Sequence, residues 1–398
     1  MMINNEDINL YMKRFTNALG QHYLPDRFLT FDDILFQPKI SPVSSRYNVS
    51  TTTQLAGIEY RRPFISANMD TITGVEMARK MRYLGGLGIL HRFWNCESEY
   101  RDAILSSIKT DLGKMNKNPA FSIGLGKPSL MNMEAKESIG WIESVIDDCF
   151  KNYAENVILC LDIAHGDSDH AYERIEKIRD IYPLGGSVKL IAGNIATRHA
   201  AIRMYNAEVD AVKVGIGCGS VCQTRVVAGH GVPQASAVMN VRAALDYMQD
   251  THDAPRPSII SDGGVRNPGD AFKALALGAD MVMFGSLLSG TIETPGEIKD
   301  IDGVPHKMYR GQSSKTFMAD ANKDQRSSEG VAAYVPVKDT VDSVVYEVDG
   351  GIRSGMSYAG SRNLHELYQN SIPMEITHAG FAEGKPHILN GDNIYHGE

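Results

Sequence analysis

Residues 156–194 read NVILCLDIAHGDSDHAYERIEKIRDIYPLGGSVKLIAGN, and this stretch decides the fold class. Asn156–Ala164 is a continuous apolar run, as a strand buried on both faces requires. Asp169–Ile181 is amphipathic at helical spacing and stops just before Pro183. Ser187–Asn194 returns to an apolar, strand-like run. Buried strand, amphipathic helix and second buried strand make one parallel crossover unit.

Working outward, runs of the same kind occur at Arg62–Met69, Gly86–Arg92, Ala120–Gly126, Ala211–Ile216, Pro257–Gly264 and Met281–Leu288. Pro268–Leu277 is a further amphipathic segment. Eight alternations predict a closed (β/α)8 TIM barrel over about residues 60–290. An open doubly wound sheet would carry G-x-G-x-x-G after an early strand, and none is there. Nearly every strand candidate ends in a polar or glycine cluster: NMDT, HRF, GLG, DIAHGDSD, AGN, GIGCGS, SDGG, FGS. In a barrel those ends converge on the catalytic face, which points to an enzyme. Residues 1–60 read as an N-terminal extension, and 289–398 fall outside the repeat as the C-terminal part of a single domain spanning 1–398. A flap-bearing segment is expected from about residue 305. Within it the polar stretch Lys315–Gly330 is expected to be a mobile loop, with an ordinary surface excursion as the alternative.

Of the 398 residues 43% are hydrophobic, enough for one large core. A net charge of −8 and a pI near 5.9 leave no basic footprint for nucleic acid or an acidic membrane. A small anionic substrate stays compatible, because backbone amides can hold a phosphate on an acidic protein. No apolar run reaches the roughly 18–20 residues of a membrane helix. Five scattered cysteines without a signal layout predict reduced thiols and a cytoplasmic location. Cys218 and Cys222 form a C-x3-C without a second pair, too few ligands for a tetrahedral zinc site.

The sixth strand candidate runs into Gly215-Ile-Gly-Cys-Gly-Ser-Val-Cys222-Gln-Thr-Arg225. Three glycines in five positions let this backbone bend close to a ligand. Such a loop offers N–H groups to an anion or carbonyls to a cation. Cys222 on that loop is placed to act as a thiolate nucleophile; a buried inert thiol is the alternative. Gly263, Gly264, Gly285 and Ser286 follow the last two strands, where this fold commonly binds phosphate. Asp262 is placed either to accept from a ribose diol or to serve as a turn residue.

These residues resemble the inosine-monophosphate dehydrogenase and guanosine-monophosphate reductase family. The likeness runs from about Phe28 to near Leu367 through LTFDDILFQP, ANMDT, GIGxGSVCxTR, GxPQ, SDGG, FGS, YRG and GGIRSGMSYAG. The resemblance implies that Cys222 attacks C2 of a purine nucleoside monophosphate. It implies that Ser220, Gly264, Gly285, Ser286 and Tyr309 hold the 5′-phosphate and that Asp262 holds the ribose. Met69, Gln312, Ser313, Arg326 and Ser328 fall at further nucleotide positions. Asp162 and Asn194 match the nicotinamide side, and the carbonyls of Gly217, Gly219 and Cys222 match a monovalent-cation site, for K+. A homotetramer is also implied. Cys218 stands where the family usually has proline, a loss expected to loosen the loop and weaken the cation site.

The two family reactions differ after the covalent adduct. A dehydrogenase passes hydride from IMP to NAD and then hydrolyses the adduct, using a flap Arg-Tyr pair. A reductase expels ammonia from GMP and then takes hydride from NADPH. The flap here has no Arg-Tyr pair and ends Arg326-Ser-Ser-Glu329-Gly, resembling the reductase. There Glu329 would work with Thr224 on the protons of the leaving amine. Asn68, HRF and DIAHGDSD also look reductase-like, and no regulatory paired (CBS) domain fits between Phe93 and Pro119. Tyr309-Arg-Gly, Gly285-Ser286-Leu-Leu, EGVAAYVP and GGIRSGMSYAG look like dehydrogenases. On this balance the sequence favours a GMP reductase using NADPH, with an IMP dehydrogenase using NAD as the alternative. A non-catalytic nucleotide sensor is the reading from another class.

Overall fold

The computed structural model describes residues 27–109, 117–125, 138–252, 254–320 and 328–384. Eight parallel strands are β1 Phe64–Ser66, β2 Leu87–Gly88, β3 Ala120–Ile123 and β4 Val157–Asp162, then β5 Val188–Ile195, β6 Ala211–Val214, β7 Ser258–Asp262 and β8 Met281–Phe284. Hydrogen bonding runs β2-β1-β8-β7-β6-β5-β4-β3. The remaining seam is closed past the end of β2, where Leu90 donates to the Ala120 carbonyl at 3.0 Å and accepts from Ser122 N at 2.9 Å. The eight strands therefore form a nearly closed α/β TIM barrel.

Each strand is followed by a helix: α1 Val75–Tyr83, α2 Glu97–Ile108, α3 Ile139–Lys151, α4 Asp169–Arg179, α5 Arg198–Asn206, α6 Gln234–His252, α7 Pro268–Ala276 and α8 Val341–Tyr358. Helix α8 packs on both α7 and α1, completing the ring. The barrel's last element thus lies well beyond residue 290. Sequence periodicity missed it because a cap of three antiparallel strands, β9 Lys299–Ile301, β10 Val304–Arg310 and β11 Ala332–Pro336, separates β8 from its helix. Lys315–Gly330 is not wholly loop either. It opens with the helix Lys315–Asp320, which buries Phe317 and Met318, while 321–327 lie outside the described residues.

Strands β4, β6 and β8 are buried at every position, which explains their lack of alternation. At their N-terminal ends two clamps repeat. Asp210, before β6, accepts from Leu190 N of β5 at 2.7 Å and pairs with Arg179 at 2.6 Å. Asp280, before β8, accepts from Ile259 N of β7 at 2.7 Å and pairs with Arg256 at 2.7 Å. Part of the N-terminal extension covers this end. The hairpin Thr53–Leu55/Ile58–Tyr60 buries Leu55 and Tyr60 and bonds to Ser258 and Asp280. With one end plugged, the opposite end is left for chemistry.

Candidate active site

The loop after β6 bends because glycine allows it to. Gly215 (φ 151°) and Gly217 (φ 78°) are left-handed, and a Cβ on Gly215 would sit 1.9 Å from the Asp262 carbonyl oxygen. Cys222 N closes a turn onto the Gly219 carbonyl at 3.1 Å. The Cys222 thiol then donates to Thr224 Oγ1 at 3.1 Å, and that hydroxyl donates to Glu329 Oε2 at 2.9 Å. A nucleophile, a hydroxyl and a carboxylate stand in one hydrogen-bonded line.

Glu329 arrives 105 residues later because the end of the flap docks on the cysteine loop. Gln223 N donates to the Glu329 carbonyl at 2.6 Å, and Val331 N to the Val221 carbonyl at 3.0 Å. Ser328 Oγ bonds the carbonyls of Ser313 at 2.8 Å and Gly330 at 2.9 Å. Arg326 lies outside the described residues.

The residues assigned to phosphate and base converge in part. Ser220 Oγ and Tyr309 OH are 3.1 Å apart. A Cβ on Gly285 would lie 3.0 Å from Tyr309 OH and 3.7 Å from Met69 Sδ. Gly264 is left-handed (φ 78°) and sits against Gln234 and Phe31, while the Ser286 carbonyl accepts from Lys338 at 3.2 Å. Burial raises the Tyr309 pKa, so its hydroxyl stays a donor. The cap is pinned to the barrel mouth by three contacts. Arg310 pairs with Asp70 at 2.7 Å, Arg310 N donates to Thr71 Oγ1 at 3.3 Å, and Gln312 donates to the Asn68 carbonyl at 2.8 Å. This is why ANMDT and YRG, distant in sequence, meet.

Below them lies a polar floor. Asn194 Nδ2 donates to Asp262 Oδ2 and to the Gly215 carbonyl, each at 2.8 Å. Asp162 Oδ1 accepts from Lys213 Nζ at 2.9 Å. Burial pushes the Asp162 carboxyl up, but Lys213 and Arg92 outweigh it and hold the group below its ordinary range. Sequence reading passed over Lys213, although a lysine inside the apolar run Ala211–Ile216 was a visible signal.

Cys218, where the family usually has proline, is tied in by its thiol. Its thiol donates to Gln234 Oε1 at 3.1 Å and reaches the Asp262 carbonyl at 3.3 Å, tying the loop to α6 and β7. Burial pushes this thiol up to about 12, so it is protonated and unreactive at neutral pH. The neutral carbonyls of Gly217, Gly219 and Cys222 suit a monovalent ion better than a divalent one, which would call for carboxylates.

A TIM barrel with a thiol on a hydroxyl–carboxylate line at its mouth has the arrangement that a cysteine nucleophile would need. The model of the IMP dehydrogenase / GMP reductase domain matches residues 28–387, and the chain belongs to that family, whose members are oxidoreductases acting on a purine nucleotide. It is 32% identical to a protein of Nitrosopumilus maritimus, over 90% of this chain and 98% of the relative. It is 34% identical to one of Borreliella burgdorferi over 90% and 96%, and 39% identical to one of Aquifex aeolicus over 71% and 54%. All three relatives are named inosine-5′-monophosphate dehydrogenase, which does not follow the sequence's lean toward the reductase. No described helix is long and apolar enough to cross a membrane.

Proposed function

We propose that this enzyme oxidises IMP at C2 with NAD and hydrolyses the resulting adduct to XMP. The observation that carries the reading is the line Cys222–Thr224–Glu329, at 3.1 and 2.9 Å. The dehydrogenase names of its relatives support this direction. Cys222 sulfur bonds to C2 of the bound purine, and its proton is released to solvent. Asp162 and Asn194 would face the nicotinamide of NAD, which would supply the hydride acceptor. Hydrolysis then needs a base. Thr224 positions the water, Glu329 draws off its proton through the hydroxyl, and collapse of the tetrahedral adduct frees the Cys222 thiol. The Thr224–Glu329 line thereby fills the role of the Arg-Tyr pair that the flap lacks. Ser220, Gly264, Gly285, Ser286 and Tyr309 hold the phosphate, Asp262 the ribose and Met69 the base. Gln312, Ser313, Arg326 and Ser328 complete the nucleotide side. The carbonyls of Gly217, Gly219 and Cys222 would hold K+, which would steady the loop, and the protein works as a cytoplasmic homotetramer.

The second reading is reduction of GMP with NADPH, favoured by Arg326-Ser-Ser-Glu329-Gly and the missing Arg-Tyr pair. In it the same line protonates the departing ammonia. One assay separates the two. Purified protein is given IMP with NAD, or GMP with NADPH, and the nicotinamide absorbance is followed. NADH formation from IMP is expected. Faster loss of NADPH with GMP would overturn the proposal in favour of the reductase.

A further inference from the structure

The ammonium of Lys213 is 3% exposed and sits in the barrel interior on β6. It reaches three acceptors on three other strands or strand ends: Asp162 Oδ1 at 2.9 Å, Asn68 Oδ1 at 3.4 Å and Asp262 Oδ2 at 3.5 Å. An ammonium has three N–H bonds, so these acceptors can use all of them. Asn68 in turn donates to Ser122 Oγ at 2.8 Å, and Asn194 donates to Asp262 at 2.8 Å. One cation thus joins groups from β1, β3, β4, β5, β6 and β7.

We infer that Lys213 is a positioning residue that holds the nucleotide and nicotinamide halves of the site in one charged unit. The inference rests on the proposed roles of Asp262 and Asp162. On Asp262 both donors, Asn194 and Lys213, fall on Oδ2, which leaves Oδ1 as the oxygen a ribose hydroxyl can use. Asp162 is held on the opposite side by the same ammonium. The groups facing Lys213 are Asp162 and Cys160 on β4 and Asp262 on β7, with Arg92 acting on Asp162 from beyond β2. Burial opposes the Lys213 charge, and the two aspartates overcome it, so its pKa lies above the ordinary lysine value. Without that ammonium two carboxylates would share a buried pit, and one would keep its proton at neutral pH.

The test compares wild type with Lys213→Met and Lys213→Arg. Nucleotide binding to wild type is first measured by calorimetry with IMP and with GMP. No binding there would remove the reading of the site itself, apart from any role of Lys213. Given binding, Lys213→Met is expected to weaken kcat/KM at least about tenfold for both nucleotide and dinucleotide. The acid limb of its pH profile should also move upward, toward neutrality. Lys213→Arg restores the charge and should return the acid limb to the wild-type position, even at a lower rate. If the Met variant is insoluble, Lys213→Gln replaces it. An acid limb unmoved in the charge-deleting variant would overturn the inference, because loss of packing alone lowers the rate without shifting it. So would a loss confined to one of the two substrates.

Discussion

Two cysteines four residues apart have opposite fates, decided by what each sulfur touches. Cys222 faces Thr224 at 3.1 Å, while Cys218 is half-buried and bonded to Gln234 and Asp262. Cys222→Ala should abolish turnover while leaving nucleotide affinity within about tenfold, or about 1.4 kcal/mol, since the proposed phosphate and ribose contacts apart from Ser220 lie on other loops. Steady-state rates and calorimetry check this, and retained turnover would remove the covalent mechanism. Cys218→Ala should stay active, because the family usually has a proline there. Its thermal midpoint should fall slightly as Gln234 Oε1 loses the thiol that donates to it.

Among the elements, the flap end matters because it is a strand partner of the cysteine loop. Residues 328–331 pair along 221–223, so Glu329 is delivered by main-chain bonds rather than by its own contacts. Glu329→Gln should cut steady-state turnover by at least about 100-fold, the lower range for lost acid–base assistance. The first turnover of NADH from IMP should largely survive, because hydride leaves before water is activated. Rapid-mixing absorbance distinguishes the phases, and equal loss in both would show that Glu329 shapes the whole site. Gly330 is where the strand can be broken. A Cβ there would lie 3.0 Å from Ser313 Oγ and Ser314 N, so Gly330→Val should displace Glu329 and slow hydrolysis similarly.

For the whole molecule, chemistry and stability occupy opposite ends of the barrel. The Asp210 and Asp280 clamps close the end covered by the hairpin, and Cys222, Glu329 and Tyr309 occupy the other. Burial alone would raise the Asp280 carboxyl, but Arg256 outweighs it and lowers its pKa on folding. Stability from this pair is therefore complete above the unfolded aspartate value of about 3.9 and is lost as pH falls through the lower folded value. Asp280→Asn should destabilise the protein by about 1.5–3 kcal/mol at pH 7, the range for hydrogen bonds to a charged group, since both partners are only partly buried. Thermal melts across pH should show the gap between the two proteins closing in acid. A gap independent of pH would mean that the aspartate acts by shape and not by charge.

The sequence by itself determined the barrel strands, and it pointed to their glycine- and polar-rich ends and to Cys222 as the candidate site. Continuous apolar runs ending in glycine or polar clusters have few other uses, and a cysteine in a glycine loop is a local signal. Most of the assigned positions were legible through motifs, each contained within a few residues. Only the tertiary structure decided that α8 lies 57 residues past β8, since an inserted cap interrupts any periodicity. It also decided that Glu329 meets Thr224, that Arg310 meets Asp70, and that Lys213 joins Asp162 to Asp262. Those contacts depend on a closed barrel bringing distant strand ends within hydrogen-bond reach. No sequence spacing encodes that distance, so a buried lysine that reads as an irregularity in an apolar strand becomes, once the barrel closes, the centre of the site.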